Sequence, residues 1–349
     1  MSGAVLVERE PLAALGRALL AAAGATAEHA GAVVDHLIEA DTMGLKSHGM
    51  MRVPQYLDEI AKGEIDPVAA PVFTLAAPGR AACDGNKGFG QVVGQAMAHE
   101  AARLAKATGI AFVTGRHMGH TGRIGAYPEA IATAGMIGIA VCSGPRSGHW
   151  VAPFGGREGR LATNPIAYAF PVAGAPPVVA DFSTGVVPEG VVRNLKYRGL
   201  SAPAGALRDA TGRETIDPSA IYTTPRGTIQ PLGGAFGYRG TALSMLVEVL
   251  AALSAEDDTD DLSREGSNLA MIAIGADQAF AGRAARMAAY LRSAAPLDPA
   301  RPVILPGERE QAHAAAAAAA PISVDGPTWT ALVAAGMKHG IDLPKAANG

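Results

Sequence analysis

Two spacings of apolar residues divide the chain. Up to about residue 66, apolar side chains recur every three or four positions, as at Val33, Val34 and Leu37, which is the period of an amphipathic helix. From about residue 70, short apolar runs of strand length alternate with helical stretches, a pattern typical of α/β domains. The pattern therefore predicts a helical beginning, with one helix ending before Gly44, followed by an α/β region.

Within the α/β region the same pattern predicts individual elements. The predicted helices cover residues 91–108, 124–134, 241–253 and 327–340, and the predicted strands cover 110–114, 137–142, 178–182 and 269–274. Residues 185–230 are rich in turn-forming residues and predict mainly loop. The acidic run at 257–261 lacks the glycine and the alternating carboxylates of a calcium loop, so it predicts a solvated loop.

Candidate chemistry first appears where the second predicted helix ends. Ser47 can cap a new helix through its hydroxyl, and a helix that starts there places His48 and Arg52 on one face, four residues apart. An imidazole can transfer a proton near neutral pH, and a guanidinium can hold a carboxylate with two hydrogen bonds. Such a pair can bind a small carboxylic acid and do acid–base chemistry beside its carboxylate. By spacing alone, a capped helix with two surface side chains explains the same residues.

A glycine-rich stretch with two further histidines, His117 and His120, follows the predicted strand at 110–114. Glycines at the entry to a helix let the backbone approach a ligand closely, but they also occur in ordinary connections. A metal site that uses both histidines and a carboxylate is the rival interpretation, and no known metal-ligand spacing supports it.

The glycines at 88, 90 and 94 come close to a Rossmann fingerprint without matching it. The last of them lies one position late, and no acidic residue ends the next predicted strand. The sequence therefore argues against a standard Rossmann fold.

Composition and charge exclude several classes of protein. The 349 residues carry a net charge of -3, with 49% hydrophobic and 17% charged residues, which allows a large core and offers no basic field for nucleic acid or a membrane surface. The two cysteines, Cys83 and Cys142, lie in apolar runs and predict no disulfide framework. No secretory signal and no membrane-spanning run are expected, so a reduced, cytoplasmic setting is predicted.

Seven stretches, taken in order, resemble one known family. They are ADTMGLKSHGMMRVPQYL at 40–57, DGNKGFGQVVG at 84–94, GHTGRIGAY at 119–127, APFGGREGRLATNPIA at 152–167, DFSTGVVPEG at 181–190, PLGGAFGYRGTALSMLVEVLA at 231–251 and ILPGERE at 304–310. The chain resembles the malate/L-lactate dehydrogenase family that is unrelated to the Rossmann-type enzymes. Its members include ureidoglycolate and sulfolactate dehydrogenases, 2,3-diketogulonate reductase and Δ1-piperideine-2-carboxylate reductase.

The resemblance implies an α/β fold with two parts: a non-Rossmann NAD(P)-binding α/β domain over residues 71–309, and a helical domain formed from both chain ends, residues 1–70 joined by 310–349. It also implies NAD or NADP as cofactor, a small carboxylic acid as substrate, and a homodimer with the active site close to the subunit boundary. No metal ligand is implied.

Residue by residue, the resemblance assigns roles to the matching positions. The residues implied in catalysis are His48, His120, Arg52, Ser47 and Asp181. The residues implied in cofactor binding are His120, Ser143, Thr163, Asn164, Pro165, Asp181, Ser183, Thr184, Tyr238, Arg239, Gly240, Gly307 and Glu308. The sequence departs from the common family pattern at Val191, Gly185, Arg239 and Thr241, which leaves the cofactor preference and the substrate open.

The implied reaction is reversible hydride transfer between NAD(P)H and the carbon beside the carboxylate of a small 2-oxo or 2-hydroxy acid. A histidine is expected to transfer the proton, with His48 as first choice and His120 as second. Two alternatives stay open: reduction of a cyclic imine acid, and a ligand-binding homologue that has lost catalysis, which the changes at Val191 and Gly185 suggest. Metal-dependent hydrolysis is the third and most distant interpretation.

Overall fold

A computed structural model describes residues 4–255, 266–318 and 320–345. Within these ranges the α-helices are α1 (Arg9–Ala22), α2 (Ala27–Thr42), α3 (Val53–Ala61), α4 (Gly90–Thr108), α5 (Ala126–Thr133), α6 (Glu189–Tyr197), α7 (Tyr238–Val247), α8 (Phe280–Arg292), α9 (Glu308–Ala316) and α10 (Gly326–Lys338). The strands are β1 (Val5–Val7), β2 (Val72–Ala77), β3 (Arg80–Gly88), β4 (Ile110–Met118), β5 (Met136–Ser143), β6 (Ile166–Val172), β7 (Ala175–Phe182), β8 (Leu207–Arg208), β9 (Glu214–Thr215), β10 (Thr228–Ile229), β11 (Ser267–Gly275) and β12 (Ile322–Val324). None of the described helices has both the length and the apolar character needed to cross a membrane.

A seven-stranded mixed sheet forms the centre of the α/β region, with strand order β2-β3-β4-β11-β5-β6-β7. Only β3 and β4 pair in parallel, and the other neighbouring strands are antiparallel. Helices α4 and α5 pack on this sheet over a core of small and aliphatic side chains. The α/β class is confirmed, and the largely antiparallel order differs from the mostly parallel sheet of a Rossmann fold.

The near-miss glycine fingerprint has a packing role in this fold. A Cβ atom added at Gly90 would lie 2.5 Å from the carbonyl oxygens of Gly119 and His120, and one at Gly94 would lie 2.4 Å from the ring of Tyr127. Gly90 lets the first turn of α4 contact the backbone that carries His120, and Gly94 makes room for the ring of Tyr127. Close approach of two chain segments accounts for the glycines at these positions.

The two ends of the chain meet in a second core. Strand β1 pairs with β12 antiparallel, and α1, α2, α3 and α10 share one cluster of buried apolar side chains. This packing agrees with a helical part built from both chain ends. The boundaries at residues 70 and 310 stay a prediction.

The prediction of one helix starting at Ser47 was wrong. Two short 3-10 turns cover Lys46–His48 and Met50–Arg52, and α3 begins only at Val53. Gly49 separates the turns with an extended backbone, φ −91° and ψ −155°. A Cβ at Gly49 would lie 2.3 Å from the Asp41 carboxylate, so the absence of a side chain lets that carboxylate come under the turn.

Other elements differ in extent from their predictions. Residues 185–230 contain α6 and a small sheet of β8, β9 and β10 around their own apolar core, so they are more ordered than the predicted loop. The helix predicted at 241–253 begins earlier, at Tyr238, and passes into a π-helical turn over Glu248–Ala252. The acidic run at 257–261 lies outside the described residues.

Candidate active site

Two adjoining cavities lie between the helical core and the sheet. One has a volume of about 770 Å³ and the other about 640 Å³. Their shared lining residues are His48, Gly122, Thr163, Pro165 and Pro188. The imidazole of His48 therefore stands at the junction of two spaces, each large enough for a small organic molecule.

His48 is held by the two 3-10 turns and not by a helix. The Asp41 carboxylate accepts a hydrogen bond from the backbone N–H of Met50 at 2.8 Å and pairs with the Lys46 ammonium at 3.2 Å. Ser47 does not cap a helix: its hydroxyl lies 3.0 Å from Nδ1 of His48. The serine thus orients the imidazole directly, and Asp41 holds the backbone that carries both residues.

His120 has a fixed tautomer in its neutral form. Its Nδ1 lies 2.9 Å from the Tyr56 hydroxyl and accepts from the backbone N–H of Gly122 at 3.3 Å. Gln91 donates to the oxygen of Tyr56 at 2.7 Å, so the hydroxyl proton of Tyr56 is directed to the histidine. Because a backbone N–H can only donate, Nδ1 must accept, and the neutral ring carries its proton on Nε2.

The two histidines lie face to face, with ring centroids 5.7 Å apart and planes 16° apart. Burial, followed by the charge of Arg52, lowers the pKa of His48 to about 3. The same two causes, in the same order, hold the pKa of His120 well below its usual value. Both rings are therefore neutral in the free protein at neutral pH.

Arg52 is a buried guanidinium, 5% exposed, whose hydrogen-bond partners within the described residues are neutral. Its Nε donates to the carbonyl oxygen of Ser47 at 2.7 Å, and its Nη1 donates to the side-chain oxygen of Gln55, also at 2.7 Å. Nη2 lies beside Gly190, where an added Cβ would come within 2.8 Å of it. Among the described residues no carboxylate forms an ion pair with Arg52, so an anion in the 640 Å³ cavity would supply the missing partner.

The predicted cofactor residues lie in several different places. Thr163, Pro165, Asp181, Ser183 and Gly307 line the 770 Å³ cavity, while His120 and Asn164 line the 640 Å³ cavity. Ser143, Thr184 and Gly240 are buried outside both linings, and Glu308 binds the backbone N–H of Leu305 at 2.6 Å. Tyr238 and Arg239 are exposed and also lie outside both linings, with the guanidinium 4.7 Å from the ring centre of Phe236. The cofactor roles of Tyr238 and Arg239 therefore stay predictions, which the geometry of a single subunit does not support.

Asp181 does not reach either histidine. Its Oδ2 accepts the backbone N–H of Gly125 at 2.8 Å, and burial raises its pKa. It borders the cavity that adjoins the histidines, which suits a contact with a cofactor better than orientation of an imidazole.

Asn164 offers an acceptor that nothing in the described chain uses. The residue lies in the left-handed region at φ +37°, and its amide nitrogen donates to Ser244 Oγ at 3.0 Å and to Glu248 at 2.8 Å. Its Oδ1 is buried without a hydrogen-bond partner. The carboxamide of a nicotinamide ring carries the kind of N–H donor that this oxygen lacks, so the residues present fit such a cofactor.

The departures from the family pattern have local structural consequences. Val191 and Gly185, two of the positions that depart from the family pattern, both line the 770 Å³ cavity. The hydroxyl of Thr241 accepts from the backbone N–H of Phe154 at 2.9 Å, which ties the start of α7 to the preceding loop.

The sequence did not identify several residues that line or support the site. Tyr56 and Gln91 fix His120, and Gln55 and Glu59 continue the face of α3 that begins with Arg52. The spacing of residues 52, 55 and 59 is a helical signal that could have found the last two. Arg193 was missed because α6 itself was missed. No group of three or more His, Cys, Asp or Glu side chains within the described ranges could hold a metal ion.

Comparison with known proteins decides the family. The family model described as malate/L-lactate dehydrogenase matches residues 7–333. The chain belongs to this family. This membership places the protein among enzymes that oxidise or reduce small 2-hydroxy or 2-oxo acids, and it indicates a nicotinamide cofactor.

Individual relatives agree with this membership. An L-lactate dehydrogenase of Cupriavidus necator is 35% identical over 68% of this chain and 68% of its own length. A ureidoglycolate dehydrogenase (NAD(+)) of Escherichia coli is 34% identical over 71% of this chain and 68% of its own length. The crystal structure of a dehydrogenase from Sinorhizobium meliloti superposes with a TM-score of 0.84 at 34% identity, covering 95% of this chain and 98% of that one.

Proposed function

We propose that the protein transfers a hydride reversibly between NAD(P)H and a small 2-oxo or 2-hydroxy acid. The observation that carries the proposal is the buried guanidinium of Arg52, which has no anionic partner among the described residues and stands in the same cavity as two neutral imidazoles. A substrate carboxylate completes the Arg52 site, and the neighbouring carbon then faces His48 and His120. A nicotinamide cofactor that extends from the adjoining cavity to Asn164 would supply the hydride.

The protein's own residues handle the proton. In oxidation, neutral His48 accepts the proton of the substrate hydroxyl, while His120, with its proton on Nε2, donates a hydrogen bond to the same oxygen. In reduction, the bound carboxylate offsets the charge of Arg52, which is one of the causes that lower the pKa of both histidines. Substrate binding therefore raises the pKa of His48 and favours uptake of the proton that the product alcohol needs.

The proposal is tested by turnover of NADH and of NADPH with a panel of 2-oxo acids and cyclic imine acids. We expect consumption of one or both cofactors with at least one 2-oxo acid, and no loss of activity after treatment with a metal chelator. Turnover of imine acids alone would favour the imine reductase alternative. Tight binding of a 2-oxo acid and cofactor without turnover would instead identify a catalytically silent homologue.

We also propose that the protein is a homodimer with its active site near the subunit boundary. The support is family membership together with four exposed apolar side chains that follow one another along α7 and the turns after it: Met245, Leu246, Val249 and Leu253. The cytoplasmic setting is also a proposal, and it rests on the sequence alone.

A further inference from the structure

The 640 Å³ cavity is lined by more carboxylates than guanidinium groups. The charged side chains that line it are Arg52, Arg193, Glu59, Glu64 and Glu189. Of its two guanidinium groups, only that of Arg52 lacks a carboxylate partner, as described above. The cavity therefore provides one open position for an anion, next to the histidines.

The second guanidinium is already paired. Arg193 donates from Nε and Nη2 to the two oxygens of Glu189, both at 3.0 Å, which is the bidentate geometry of a strong ion pair. The hydroxyl of Tyr222 donates to the same carboxylate at 2.7 Å, and Nη1 of Arg193 lies 3.5 Å from the side-chain oxygen of Gln55. A ligand carboxylate could recruit Arg193 only by displacing Glu189, which would leave that buried carboxylate without its cation.

A carboxylate lies on the side of the cavity beyond Gln55. The side-chain oxygen of Gln55 accepts from Arg52, so its amide nitrogen points the other way and donates to Oε1 of Glu59 at 2.7 Å. Oε2 of Glu59 is buried and has no hydrogen-bond partner in the described part of the chain. A second anion placed here must either form a like-charge contact or share a proton with Glu59, and both cost free energy.

We propose that this cavity selects 2-hydroxy and 2-oxo acids that carry a single carboxylate and an uncharged distal end, and that Glu59 rejects substrates with a second carboxylate. The proposal rests on the function proposed above. A distal amide or hydroxyl has hydrogens to donate toward Glu59, whereas a distal carboxylate has none. Selection therefore comes from the charge of the distal group and not from its size.

The matched pair that tests this is L-malate and its 4-monoamide, which have the same number of heavy atoms and differ in one charge. We expect kcat/KM for oxidation of the monoamide to exceed that for L-malate by at least about tenfold, because like charges brought together at a binding site are strongly disfavoured. An equal or higher kcat/KM for L-malate would overturn the proposal.

Two variants on the same helix assign the effect to one residue. Glu59→Gln removes the charge at constant shape, and we expect it to reduce the preference for the monoamide severalfold. Asp58→Asn removes a neighbouring carboxylate that is bound to Lys62 at the surface, and we expect the wild-type preference to remain. A preference that Glu59→Gln leaves unchanged would refute the role of Glu59.

Calorimetry can measure the binding of both compounds to the full-length protein in the presence of NADH. This measurement distinguishes failure of the charge selection from failure of the proposed function. If neither compound is turned over but the monoamide binds more tightly, the charge selection stands and the proposed function fails. If L-malate binds more tightly, the charge selection is overturned, whether or not either compound is oxidised.

Discussion

At the scale of single residues, the two imidazoles are weak bases because of where they lie. Burial is the larger cause of the lowered pKa of His48 and His120, and the charge of Arg52 adds to it. These rings differ in how they are held: His48 touches a serine hydroxyl, whereas His120 is fixed by a tyrosine and a backbone N–H. The first therefore has more freedom to change its protonation state than the second.

Removal of either imidazole should lower turnover more than it weakens cofactor binding. We expect His48→Ala to lower kcat by about 10²–10⁴-fold, the usual contribution of a general acid or base, with cofactor binding nearly unchanged. His120→Ala, made in parallel, loses a fixed hydrogen-bond donor and should be less severe. Steady-state kinetics and cofactor titration measure both. Full turnover in the double variant would refute the histidine mechanism.

The lowered pKa of His48 predicts an unusual pH profile. A base whose pKa is about 3 stays neutral as the pH falls from 8 to 5, so kcat/KM for oxidation of a 2-hydroxy acid should stay nearly constant over that range. A histidine at its ordinary pKa of about 6.5 would lose about thirtyfold in activity at pH 5. A decline of that size, centred near pH 6.5, would contradict the environment described for His48.

Replacement of Arg52 by lysine should weaken substrate binding. The Nε and Nη1 atoms of its planar guanidinium are used on Ser47 and Gln55, which leaves Nη2 for the ligand. Lysine keeps the charge but cannot hold all three positions, so we expect Arg52→Lys to raise KM for 2-oxo acids by roughly 10–100-fold. Arg103→Lys, at an exposed ion pair on α4, is the control and should leave KM unchanged. An unaltered KM in Arg52→Lys would remove this residue from the substrate site.

At the scale of elements, the segment between α2 and α3 shows what local sequence can and cannot predict. The end of α2 and the nearness of His48 to Arg52 could be predicted, because both follow from short-range spacing. The break into two 3-10 turns could not, because it depends on Asp41 reaching under Gly49 from the preceding helix. The same limitation explains the missed α6, whose buried face packs on residues distant in sequence.

The Asp41 carboxylate should be essential for this segment. Asp41→Ala leaves the N–H of Met50 and the ammonium of Lys46 without their acceptor, so we expect the free energy of unfolding to fall by about 1–3 kcal/mol. Activity should fall as well, because the same turn carries His48. Urea denaturation measures the first effect. Asp35→Ala on the exposed side of α2 is the control and should change stability by less than about 0.5 kcal/mol. Equal losses in the two variants would contradict the role given to Asp41.

At the scale of the whole molecule, the sequence motifs are brought together by a topology that no motif encodes. The alternation of helix and strand predicted the α/β class, but β11 inserts between β4 and β5 although it follows them by more than a hundred residues. The place where the His48 turn, the His120 loop and the Thr163–Pro165 segment meet depends on such long-range pairing. Residue types and their order could be predicted from the sequence, and the cavities between them could not.

The exposed position of Tyr238 and Arg239 is explained if a second subunit packs against them. Both belong to a motif predicted to hold the cofactor, yet neither lines the 770 Å³ or the 640 Å³ cavity of its own subunit. They lie at the start of α7, the helix that carries the exposed apolar side chains. We therefore predict that Arg239 of one subunit acts in the active site of the other, across the proposed dimer interface.

Mixing two inactive variants tests this prediction. Arg239→Ala and His48→Ala are each expected to have low activity as homodimers. If Arg239 acts across the interface, random reassociation should restore about a quarter of wild-type activity, because half of the dimers are mixed and each mixed dimer has one intact site. If Arg239 acts within its own subunit, every site in the mixture lacks one of the two residues and no activity returns. A monomeric mass by light scattering for the fully active protein would contradict the dimer itself.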